Sequence, residues 1–130
     1  MTAVAYLLDE DVPAAVGQAL AGIEPALRFW QVGVGAAAPP KQTPDPEVLV
    51  FAEGNGLAVV TFDKRTMPGH AAAHTAAGSR TRGVFVFPDG HALSAGRIAE
   101  ELVLIWATSA AEEWADLVTF LPFKSPRLRG

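Results

Sequence analysis

The sequence predicts a three-layer α/β/α sandwich around a mainly parallel sheet of about five strands, and three observations predict it. Short apolar runs alternate with amphipathic or alanine-rich stretches, as strands alternate with covering helices. Most of these runs are uniformly apolar rather than alternating, which suits strands buried on both faces. The 130 residues, 50% of them hydrophobic, match one domain of ordinary size with a real core, and a single domain is expected.

The elements follow in order. A first strand over about Ala3 to Leu8 ends at the acids Asp9, Glu10 and Asp11. Asp11 reads as the cap of a helix from about Val12 to Ala21, with Pro13 tolerated in the first turn and Gly22 near the end. Leu27 to Val32 is the second strand. The stretch from Gly33 to Pro44 mixes glycine, alanine and proline without period and reads as a loop. A loop of that length inside a compact domain is usually functional or mobile, and it leads straight into Asp45. Asp45 is expected as the N-cap of a helix from Pro46 to about Glu53, stopped by Gly54-Asn55-Gly56. Leu57 to Thr61 is the third strand, and Asp63 follows it. A helix over about Pro68 to Ala77 ends at Gly78, and Gly83 to Phe87 is the fourth strand. Ser94 caps a helix in which Ile98, Leu102, Ile105 and Trp106 recur at helical spacing. Ala110 to Asp116 reads as a further short helix, and Leu117 to Leu121 as the fifth strand. Residues 124–130, with Lys124, Arg127 and Arg129, read as a short flexible basic tail.

Composition narrows the chemistry. Cysteine is absent, which excludes disulfide frameworks, thiolate zinc sites and thiol catalysis, and makes the cytoplasm the expected compartment. No apolar run approaches the roughly 20 residues needed to span a membrane, and no secretory signal pattern opens the chain. The formal net charge of -4 argues against holding nucleic acid by a general positive field. Local basic patches remain at Lys64-Arg65 and at Arg80 with Arg82.

The acids carry the sequence's chemical signal. In open parallel sheets, ligands bind outside the carboxyl ends of strands where the strand order reverses, so Asp9 and Asp63 are expected at one crevice, with Asp45 opening a nearby helix. Three consecutive acids after a buried strand repel one another, and a bound cation relieves that repulsion. Mg²⁺ or a similar ion prefers hard oxygen ligands, keeps several waters, and leaves room for phosphate oxygens. Asp9, Asp45 and Asp63 are therefore candidate metal and catalytic residues, with Glu10 and Asp11 as supporting metal ligands. Thr61, Lys64 and Arg65 are candidate substrate contacts, the hydroxyl toward the crevice and the two cations toward a phosphate backbone. Several have a plainer reading, caps for Asp45 and Asp11, a turn for Asp63, a solvated pair for Lys64 and Arg65, whereas Asp9 and Glu10 are harder to dismiss in that way.

Taken together, Tyr6-Leu7-Leu8-Asp9-Glu10-Asp11-Val12-Pro13, the helix start Asp45-Pro46-Glu47-Val48-Leu49-Val50-Phe51-Ala52 and Val59-Val60-Thr61-Phe62-Asp63 resemble the small bacterial PIN-like family, which is similar to the VapC-type toxin ribonucleases. The resemblance runs to about Phe87. It implies a single PIN-like domain with a Mg²⁺ or Mn²⁺ pocket that cuts RNA phosphodiester bonds, and it makes an antitoxin-like protein or a second copy of the chain possible partners. By position, Asp9 matches the first-strand metal aspartate, Asp11 the polar residue two further on, Asp45 the aspartate opening a helix and Asp63 that of the Thr-x-Asp motif. The family's usual additional helical glutamate has no counterpart, since Glu24 is the only acid between Asp11 and Asp45, and Asp63 is followed by Lys64 rather than by a further Asp-Phe pattern.

Two other classes compete. A catalytically silent PIN-like module would use the same fold to bind a partner. A phosphoaccepting receiver domain shares the acids after the first strand, an aspartate before Met67-Pro68 and a lysine, Lys124, after the last strand. It would need a hydroxyl residue where Phe87-Pro88 stands. His70 and His74 have the i, i+4 spacing of zinc ligands but no evident third partner, and His91 reads as a turn residue. Trp30, Trp106 and Trp114 are read as packing residues, with base stacking as the alternative for Trp30.

Overall fold

The computed structural model describes residues 1–88 and 92–123. Five strands form one sheet: β1 Tyr6–Leu8, β2 Phe29–Gln31, β3 Ala58–Thr61, β4 Val84–Val86 and β5 Val118–Phe120. Every pairing is parallel, in the order β2-β1-β3-β4-β5. The helices are α1 Ala14–Ile23, α2 Asp45–Asn55, α3 Met67–Ala76 and α4 Ala95–Thr108, with a single 3₁₀ turn at Ala111–Trp114. All five predicted strands are present, each shorter than its apolar run, because the regular ladder covers only part of the run.

Side-chain alternation along the strands builds the two outer layers. Tyr6, Leu8, Val60, Phe85 and Phe87 point to one face and pack with Val16 and Leu20 of α1 and Ile98, Leu102 and Ile105 of α4. Leu7, Val59, Val84 and Val86 point to the other and meet Val48, Leu49 and Ala52 of α2 and Met67 and Ala71 of α3. With both faces covered, the strands need no polar side, which explains their uniform apolarity. Tyr6 is fully buried, and its hydroxyl is satisfied by donating to the Leu102 carbonyl at 2.7 Å. Its ring meets Phe85 edge-on, and Phe85 meets Trp114 in the same way. The Trp114 indole donates to Ser109 Oγ at 2.8 Å, so this tryptophan is a packing residue with its polar edge paired.

The helix ends differ from expectation in a way that matters for the site. Ser94 caps α4 as its residue type suggests, accepting from Arg97 N at 3.1 Å. Asp45 is not a cap: it lies inside the first turn of α2, behind Pro44, and its carboxylate makes no capping bond. Asp11 does not cap α1 either, since Pro13 stands at the cap position without a side-chain bond. Prolines at both helix entries fix φ and remove an N–H that would need a partner, so the carboxylates are not required there.

At the other end of the sheet, Gly83 has φ 110°, and a Cβ there would lie 2.9 Å from the Trp114 carbonyl oxygen. Only glycine allows β4 to begin this close to the turn that precedes β5. His91 and the basic tail with Lys124, Arg127 and Arg129 lie outside the described residues. No helix among the described residues is long and apolar enough to cross a membrane.

Candidate functional site

The strand order reverses at β1: the chain runs from β1 outward to β2, then crosses back to β3 on the other side of β1. The carboxyl ends of β1 and β3 therefore flank the crevice where such sheets bind ligands. Asp9 stands at the end of β1 and is pinned twice. Its backbone N–H donates to the Val60 carbonyl at 2.8 Å, and its Oδ2 accepts from Thr61 Oγ1 at 2.9 Å. Its Oδ1 accepts from Glu10 N at 2.8 Å. The residue is only 9% exposed, yet among the described residues no cationic side chain pairs with it.

The aspartates are close enough to repel one another. Burial pushes the Asp9 carboxyl above the usual range, the Thr61 and Glu10 hydrogen bonds oppose this, and the neighbouring charges of Asp45 and Glu10 raise it further. Asp11 is pushed up to about 6, by burial first, then by Asp9, with smaller contributions from Asp63 and Asp45. Its Oδ1 accepts from Phe62 N at 3.3 Å, which ties the β1 end to the turn after β3. Asp9, Asp11, Asp45 and Asp63 thus share one electrostatic neighbourhood, although they come from three separate parts of the chain.

Asp63 is the exception in kind. Its Oδ1 accepts from Arg65 N at 3.0 Å and Thr66 N at 2.9 Å, and its Oδ2 accepts from the Thr66 hydroxyl. These bonds hold its carboxyl below the usual carboxylate range, the Thr66 hydroxyl contributing most. Asp63 therefore organises the entry to α3, the task that its sequence neighbourhood suggested for Asp45 and Asp11. Thr61 is fully buried; its hydroxyl donates to Asp9 and accepts from Asp63 N at 3.0 Å, so it braces two acids instead of facing solvent. Glu10 is exposed and accepts from Gln42 N at 2.6 Å, fastening the long loop to the β1 end. Gln42 has φ 67°, a left-handed conformation costly for a side-chain-bearing residue, and that bond helps to hold it. Lys64 and Arg65 are exposed beside Asp63.

His70 is a neighbour that sequence reasoning missed. Its Nε2 lies 3.9 Å from Asp45 Oδ2. The available signal was position, one turn into the helix that Asp63 opens. His74 points elsewhere, to Glu53 at 2.8 Å and the Arg80 carbonyl at 3.1 Å, so the two imidazoles do not converge as zinc ligands. Trp30 is partly buried, with the Arg28 guanidinium over its ring at 5.1 Å.

Hollows beside Arg80 and Arg82 and between α1 and β2 contain none of these acids, so charge and position, not cavity size, define the site. Among the described residues, no three carboxylates or imidazoles are disposed to ligate one ion together. Asp9 retains a lone pair on each oxygen, and Asp45 has no capping bond. A hard divalent ion held by only two such carboxylates would keep most of its waters. No family model, curated protein or solved structure matches the chain.

Proposed function

We propose that the protein is a metal-dependent ribonuclease of PIN-like type, hydrolysing RNA phosphodiester bonds at the β1/β3 crevice. The observation that carries this reading is the buried Asp9 at the sheet's switch point, raised in proton affinity by burial first and less by Asp45, and lacking a cationic side-chain partner among the described residues. Asp9 and Asp45 would hold Mg²⁺ or Mn²⁺. When bound, such an ion supplies charge neutralisation to the phosphodiester and lowers the pKa of a coordinated water.

The chain's own groups account for the remaining tasks. Asp11, pushed up to about 6 and with Oδ2 outside its bond to Phe62, is suited to accept a proton at that atom near neutral pH. Thr61 orients Asp9, and Asp63 orders the turn that presents Lys64 and Arg65, whose positive charges would meet phosphates on either side of the cut. Asp9→Asn should abolish cleavage of a mixed-sequence single-stranded RNA in Mn²⁺. Undiminished cleavage by that variant would rule out this assignment.

The receiver reading has one observation in its favour, the strand order, which is the flavodoxin-like order that receiver domains share. Against it, both Asp63 oxygens are engaged in opening α3, and Phe87 follows β4 where a hydroxyl residue is needed. Acetyl phosphate labelling of Asp63 separates the two. The cytoplasmic setting, an antitoxin-like partner and a homodimer belong to the nuclease reading as its biological context.

A further inference from the structure

Beyond Asp63, the same carboxyl edge of the sheet carries a second feature. A slot of about 130 Å³ is walled by Val86, Phe87, Pro88, Phe120 and Leu121, and Lys64 lines one side. Phe87 is fully buried, whereas Phe120 at the end of β5 is 60% exposed. The slot thus pairs an accessible aromatic face with a cation, and Lys64 is the residue next to Asp63.

We propose that this slot binds one unstacked nucleobase of single-stranded RNA. A base offers a π face to Phe120 and apolar contact to Val86 and Pro88, while its attached phosphate offers an anion to Lys64. An aliphatic protein anchor would fill the slot but would leave that cation without a matching charge. A strand anchored here passes the Asp63 turn and reaches the acidic crevice, so the slot selects unpaired RNA and sets where the scissile bond lies. The inference rests on the nuclease reading for the identity of the ligand.

The test is fluorescence anisotropy in EDTA, which prevents cleavage, with a labelled short oligouridylate and an abasic ribose-phosphate oligomer of equal length. The wild type is expected to prefer the base-bearing oligomer by roughly tenfold, the contribution of one stacked base. Phe120→Ala should erase the preference and Phe120→Tyr should keep it, while Lys64→Ala weakens both oligomers alike. Equal wild-type affinity for the two oligomers, or a preference that survives Phe120→Ala, overturns the slot. Cleavage in Mn²⁺, measured in parallel, separates the two readings. A base preference without cleavage keeps the slot and removes the nuclease, and cleavage with no role for Phe120 does the reverse.

Discussion

Asp11 binds its proton more tightly in the folded chain than in the unfolded one, and this fixes the sign of its pH dependence. Its ordinary value is 3.8 and its folded value about 6, so its protonated form favours the fold. That stabilisation is fully present below 3.8 and is lost as pH rises through about 6. Because Asp11 keeps contact with solvent at the crevice, screening keeps the effect under about 1 kcal/mol. Denaturant midpoints of the metal-free protein should therefore fall slightly between these pH values, and Asp11→Asn should remove the slope. Mn²⁺ affinity should run the other way and rise through the same window, because ion and proton compete for the same negative charge. At Asp45 the expected signature is functional rather than structural. Asp45→Asn breaks no cap, so it should shift stability by no more than about 0.5 kcal/mol, while weakening Mn²⁺ binding about tenfold or more. Asp63→Ala, by contrast, removes acceptors for two backbone N–H groups and should cost about 1 kcal/mol in urea denaturation.

The elements themselves were legible because both faces of the sheet are covered. Uniform apolarity in Tyr6-Leu7-Leu8 and Ala58-Val59-Val60 reports double burial directly, and no surface pattern obscures it. The clustering of Asp9 with Asp63 was also legible, since a parallel sheet puts every strand's carboxyl end on one edge. Which aspartate does what was not legible. Asp45-Pro46 and Asp11-Val12-Pro13 look like helix caps locally, and only the observed entry dihedrals, with prolines at the cap positions, show that their carboxylates are left out. The bracing of Asp9 by Thr61 joins residues on adjacent strands, a contact fixed by register and invisible to local spacing. At the far edge, Gly83→Ala places a Cβ against the Trp114 carbonyl and requires φ near 110° of a residue that disfavours it. A loss of roughly 1–3 kcal/mol, read by thermal unfolding, is expected.

At the scale of the whole molecule, the site joins what the topology separates. β1, the turn after β3 and the first turn of α2 meet only when the sheet is complete, so an ion bound there binds the folded state and not the unfolded chain. Mn²⁺ at a hundredfold excess over its dissociation constant should therefore add about 2.7 kcal/mol of stability and raise Tm by several degrees. Asp9→Asn should lose that increment while unfolding in one transition like the wild type.

The most direct test of the central claim is calorimetric titration of Mn²⁺ into the wild type and Asp9→Asn, with cleavage of single-stranded RNA followed on the same samples. One binding event and cleavage are expected in the wild type, and neither in Asp9→Asn. Absence of Mn²⁺ binding to the wild type, or binding and cleavage that persist without the Asp9 charge, would contradict it. The aspartates would then be turn and packing residues of a doubly wound fold.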